Sequence, residues 1–98
     1  GTALQEAVVH GNQEIIRLLL NAGADPNERS TSGFTPLMMS CVFGRLECAL
    51  LLLDNGADAS LTTVDGENVW SLCELHGRDE IKSRIKQFIG SRNESASE

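Results

Sequence analysis

Gly33-Phe34-Thr35-Pro36-Leu37 opens a stretch that closes on Asn55-Gly56-Ala57-Asp58, with an apolar-rich run to Leu53 between them. Moved back by 33 positions, the stretch lies on an earlier copy of itself. Thr35 falls on Thr2, Leu37 on Leu4, Gly44 on Gly11, Leu51-Leu52-Leu53 on Leu18-Leu19-Leu20, and Gly56-Ala57-Asp58 on Gly23-Ala24-Asp25. Moved forward by the same step it meets a weaker third copy: Gly66 matches Gly33, Trp70 matches Leu37, Gly77 matches Gly44 and Ile81 matches Cys48. A unit this short cannot bury its apolar face alone. Self-similarity at such a period therefore describes stacked units, of which about three are needed for stability.

Each copy reads as two short helices. Thr35-Pro36 is a helix start: the threonine side chain can cap, and proline suits the first helical position, where no N–H is required. Leu37, Ser40 and Cys41 share one face, and Val42-Phe43 end this helix before Gly44. The second helix carries Cys48, Ala49 and Leu51 to Leu53 and breaks at Asn55-Gly56. In the first copy Thr2 caps, with Gln5 placed to complete a capping box. Leu4, Ala7 and Val8 form the inner face, and Ile15, Ile16 and Leu18 to Leu20 make a wide apolar arc that stops at Gly23. Asp25-Pro26-Asn27 is a turn. In the third copy Asn68 replaces the capping threonine and Trp70 the first core leucine. Ile81, Ile85, Phe88 and Ile89 form a single stripe among charged neighbours, with Lys82 and Arg84 standing where the first copy has Ile16 and Leu18. That pattern expects a terminal unit with one apolar and one solvated face.

The Gly-x-Thr-Pro-Leu of residues 33–37, the inner Gly44 and the closing Gly56-Ala57-Asp58 resemble the ankyrin repeat family, over residues 1 to about 89. The resemblance implies an all-α solenoid of helix-turn-helix units with short β-hairpin loops, in repeats of about 1–31, 32–64 and 65–89. Residues 90–98 are expected to be a disordered tail on composition. The chain departs from the family at the position after Thr-Pro-Leu. Histidine there usually hydrogen-bonds between repeats; Gln5, Met38 and Ser71 stand in its place, so weaker polar stapling is expected. No hairpin or polar outer face precedes Thr2, which raises the expectation of further repeats upstream.

Composition excludes several classes. Eight Lys and Arg against fourteen Asp and Glu give a net charge of −6. Nucleic acid and anionic membrane call for clustered positive charge, and no apolar run reaches the length of a membrane span. Three cysteines, Cys41, Cys48 and Cys73, form no Cys-x-x-Cys pair and have no histidine at zinc spacing. They read as small buried apolar residues of a protein from a reducing, intracellular compartment. Stability is expected to be about 5–10 kcal/mol. His10 and His76 occupy equivalent positions two repeats apart, roughly 20 Å from one another at about 10 Å per stacked helix, too far to share a metal ion. No nucleophile–base arrangement, phosphate loop or paired-carboxylate motif is present. No catalytic residue, cofactor or metal is expected.

What remains is recognition. The resemblance implies binding through hairpin tips and the ends of the first helices, which form a concave groove. Carried over residue by residue, the first repeat offers Val9 and His10. The second offers Thr31, Ser32, Phe34, Val42 and Phe43. The third offers Val64, Asp65, Glu67, Leu75 and His76. Val42, Phe43, Leu75 and His76 would form an apolar strip with an acidic rim at Asp65 and Glu67. Such a strip suits a protein or peptide partner with apolar anchors and some positive charge, bound by a monomer. Two alternatives stand beside this one: a structural C-terminal cap of a longer array, and a regulatory module attached to an enzyme.

Overall fold

The computed structural model describes residues 2–97, with side chains described through Ser91. Among these residues there are six helices and no strand: α1 (Ala3–Val9), α2 (Gln13–Asn21), α3 (Pro36–Phe43), α4 (Leu46–Asp54), α5 (Val69–Leu75) and α6 (Asp79–Ser97). Each consecutive pair packs as an antiparallel hairpin, and the hairpins stack. α1 lies on α3 and α3 on α5 in one layer, while α2 lies on α4 and α4 on α6 in the other. The result measures 37 × 30 × 21 Å.

Helix starts follow the sequence. Thr2 Oγ1 accepts from the Gln5 N–H at 3.1 Å, Thr35 Oγ1 from the Met38 N–H at 3.2 Å, and Asn68 Oδ1 from the Ser71 N–H at 2.9 Å. Each bond satisfies a first-turn donor that the helix cannot. The reciprocal half of the expected Thr2–Gln5 box does not form. It forms in the other two repeats, where Met38 Sδ accepts from the Thr35 N–H at 3.5 Å and Ser71 Oγ accepts from the Asn68 N–H at 2.9 Å.

The core runs through the interface between the two layers. Leu4, Val8, Ile16, Leu37, Met38, Leu52, Leu72 and Ile85 are all within 2 % of full burial. Cys41, Cys48 and Cys73 are buried and free. Burial pushes all three thiols above the ordinary thiol range, so they serve as apolar filling rather than nucleophiles.

Polar stapling between repeats is present without the histidines, supplied by Gln5, which stands in a histidine's place, and by two arginines. Gln5 Nε2 donates to the carbonyls of Glu28 and Phe34, each at 3.0 Å. Arg45 Nε and Nη2 donate to the Val9 carbonyl at 3.1 and 2.9 Å. One repeat further on, Arg78 donates through Nε to the Cys41 carbonyl at 3.1 Å and through Nη2 to the Val42 carbonyl at 3.0 Å. A helix leaves its last carbonyls without intrahelical partners and carries partial negative charge there. Each arginine supplies the missing donors from the neighbouring repeat. Gly44 makes this approach possible: its φ is +71°, and an added Cβ would lie 3.0 Å from the Arg78 guanidinium carbon.

Asn27 staples the loops that follow the second helices. Its Nδ2 donates to the Gly56 carbonyl at 3.1 Å and its Oδ1 accepts from the Asp58 N–H at 2.7 Å. Replacing Asn27 with alanine is expected to cost about 1 kcal/mol. Thermal unfolding followed by circular dichroism should then show a melting temperature lower by about 4–8 °C; an unchanged midpoint would remove Asn27 from the account.

One expectation about the connections is corrected. The inter-repeat loops are turns, not strand-paired hairpins. The Ser30 N–H reaches the Phe34 carbonyl at 2.9 Å and the Thr63 N–H the Glu67 carbonyl at 2.8 Å, each loop turns where the Gly33 N–H meets the Ser30 carbonyl or the Gly66 N–H the Thr63 carbonyl, and the two tips join where the Val64 N–H meets the Ser32 carbonyl at 3.0 Å. These loops are too short to extend a ladder. Gly33 permits the contact, since a Cβ there would lie 3.1 Å from the Thr63 Cα. Composition leads to the expectation of a disordered tail at residues 90–98. α6 continues to Ser97, and Glu98 lies outside the described residues. No proline interrupts this stretch, and extending an existing helix gains one backbone hydrogen bond per residue without a new nucleus.

The two ends differ. Ile15 and Leu18 on α2 are 43 % and 62 % exposed, so the wide apolar arc of the first repeat is only partly covered. At the other end Glu74 stands where Cys41 is buried one repeat earlier, and it is exposed and paired with Lys82 at 2.7 Å.

Candidate functional site

The ends of the first helices and the loops before them enclose a cleft of about 440 Å³. Its floor is apolar: Met39 and Val42 from α3, Leu72 and Leu75 from α5, and Phe34 from the preceding loop. Gln5, Ser30, Glu67 and His76 supply its polar groups. The cleft exists because α3 and α5 present equivalent positions at one helical turn. Met39 and Leu72 stand 33 apart, as do Val42 and Leu75.

Five of the residues singled out from the sequence meet here: Phe34, Val42, Glu67, Leu75 and His76. Phe34 is half-buried, packed against the core as well as lining the cleft, while Leu75 is 70 % exposed. The other seven are not among the lining residues. Phe43, 43 % exposed, ends α3, one residue beyond Val42. Thr31, Ser32, Val64 and Asp65 sit at the loop tips, all exposed. There the Ser32 carbonyl and the Val64 N–H hold the tips together. His10 belongs to a separate hollow with Arg45, and its Nε2 lies 3.5 Å from Glu6 Oε2. Val9 is half-buried and its carbonyl is the one that Arg45 caps. His10 and His76 thus open into different hollows.

Four lining residues were not singled out: Gln5, Ser30, Met39 and Leu72. The period itself was a signal for Met39 and Leu72, since both follow their helix start at the same offset. Gln5 carried a local signal for capping, and capping is not what its side chain does. Among the described residues no group of His, Cys, Asp or Glu is arranged to hold a metal ion, and no helix is long and apolar enough to cross a membrane.

The family pattern for ankyrin repeats (3 copies) matches residues 1–63. The chain belongs to the ankyrin-repeat family. Among curated relatives, protein phosphatase 1 regulatory subunit 27 of Mus musculus is 42 % identical over 89 residues, covering 91 % of this chain and 55 % of the relative. The Homo sapiens protein of that name is 43 % identical over 65 residues, covering 66 % of this chain and 42 % of the relative. The ankyrin repeat and KH domain-containing protein mask-1 of Caenorhabditis elegans is 35 % identical over 88 residues, covering 89 % of this chain and 3 % of the relative. The chain thus spans about half the length of the regulatory subunits it matches. Ankyrin repeats are protein-interaction modules, and this chain is one of them.

Proposed function

We propose that this ankyrin domain binds its partner through the cleft between α3 and α5 and the loop tips beside it. The observation that carries this reading is Leu75. A leucine left 70 % exposed at the mouth of an apolar cleft has no role in the stack, and exposed apolar groups around a concavity are what a partner covers. Glu67 at the same cleft, with Asp65 at the adjoining tip, favours a partner that brings positive charge beside its apolar anchor. The domain acts by binding rather than catalysis and as a monomer, and its three free, buried cysteines support an intracellular setting.

Two of the relatives are named regulatory subunits of protein phosphatase 1, which makes that enzyme the first partner to assay. It also favours regulation of an enzyme over a purely capping role. In biolayer interferometry against the purified catalytic subunit, Leu75→Asp is expected to weaken binding about 30-fold, as loss of a contact worth about 2 kcal/mol would. Ile15→Asp, on the opposite layer, should bind as wild type does. Unchanged affinity for Leu75→Asp would remove the cleft from the interface. If the phosphatase binds neither protein, the same pair of variants applies to partners captured from lysate.

A further inference from the structure

Gln5 carries more than a staple. It is 4 % exposed and lines the cleft. Both hydrogens of its amide nitrogen are committed, to the Glu28 and Phe34 carbonyls. Two carbonyls around one end of the amide fix that end as the nitrogen. The other end, Oε1, accepts no hydrogen bond among the described residues, and no buried side-chain oxygen there is sealed off without a partner. Oε1 is therefore a fixed acceptor that keeps some accessible surface on a residue lining the cleft, and we infer that this surface opens into the cleft. A buried acceptor in an apolar setting gains from a donor that arrives with apolar surface of its own.

We propose that the cleft seats a tryptophan side chain of the partner, its indole N–H donating to Gln5 Oε1. Indole pairs a large apolar body with a single N–H donor, which matches a floor of Phe34, Met39, Val42 and Leu72 beneath one acceptor. Phenylalanine would leave Oε1 unpaired. A lysine would place its ammonium over that apolar floor. The Glu67 carboxylate takes a Lys or Arg next to the tryptophan in the partner rather than the anchor itself. This inference rests on the cleft being the binding face and adds the identity of the residue that enters it.

The test uses indole and 1-methylindole, which share the ring system and differ in the donor. In ¹H–¹⁵N NMR titrations of the whole chain, indole is expected to shift the Gln5 side-chain amide and the backbone amides of Phe34, Leu75 and His76. The 1-methyl compound should bind about 5–10-fold more weakly, the loss expected for one hydrogen bond to a buried acceptor. No variant is needed, so folding is not in question. Equal binding of the two compounds, no shift at millimolar indole, or shifts confined to other surfaces would each overturn the tryptophan anchor. The two readings fail separately. Should Leu75→Asp abolish partner binding while indole and 1-methylindole bind alike, only the anchor falls. Should Leu75→Asp leave partner binding intact, the cleft reading falls with it.

Discussion

Arg78→Met destabilises the fold by about 2–4 kcal/mol, because two charge-assisted hydrogen bonds to helix-terminal carbonyls disappear together. Methionine keeps the apolar stem and removes only the guanidinium. The Cys41 and Val42 carbonyls then lose the donors that lie at 3.1 and 3.0 Å. Both sit in the last turn of α3, where the helix has no N–H left to offer them. Denaturant unfolding should place the midpoint well below wild type with an unchanged slope. Arg78→Lys should recover only part of the loss, since one ammonium cannot reproduce the fork that reaches both oxygens. Arg17→Met, on the exposed side of α2, is the control and should stay within about 0.5 kcal/mol of wild type. If Arg78→Met does the same, the staple contributes nothing. The bond also ties the terminal repeat to the second, so hydrogen exchange in α5 and α6 should accelerate more than exchange in α1.

Leu52→Ala costs about 3–4 kcal/mol, the usual loss for a leucine removed from a packed core plus the cavity it leaves. Leu19→Ala, the same substitution one repeat earlier, should cost only about 1 kcal/mol, since part of its surface already faces water. Leu52 is fully buried, whereas Leu19 is half-buried although the sequence around it is equivalent. The difference comes from α2, which covers α4 on one side, while α2 itself has no helix on its outer side in this structure. Paired urea melts of the two variants measure it. Equal losses would mean that position along the stack has no bearing on burial energetics here.

The helices were legible because their signals are local. Thr2, Thr35 and Asn68 cap, Pro36 starts a helix, and Gly11, Gly44 and Gly77 interrupt the helical run at one offset, so the two helices of each repeat could be placed from caps, breaks and apolar spacing. The cleft was half legible. Val42, Leu75 and His76 lie at equivalent ends of the first helices, and that equivalence is a matter of counting. Gln5 was read as a capping residue because its neighbour three positions back is a threonine, and as a weaker substitute for the histidine that the family places there. Its side chain turns instead to carbonyls 23 and 29 positions away, which no local rule can supply. Arg45 and Arg78 were passed over although each directly follows a repeat glycine. The period marked them as equivalent residues and was silent on which atoms they reach.

By itself, then, the sequence determined the period, the helix starts and breaks, and membership in a repeat architecture, because these depend on backbone preferences within a few residues. The tertiary structure alone decided what covers each repeat. It assigned the stapling to Gln5, Asn27, Arg45 and Arg78, it buried Leu52 while leaving Leu18 and Leu75 in water, and it set Gln5 in the wall of an apolar cleft. Those outcomes depend on distances between repeats, and a residue's burial and partners follow from what stacks against it, not from the residues beside it in the chain.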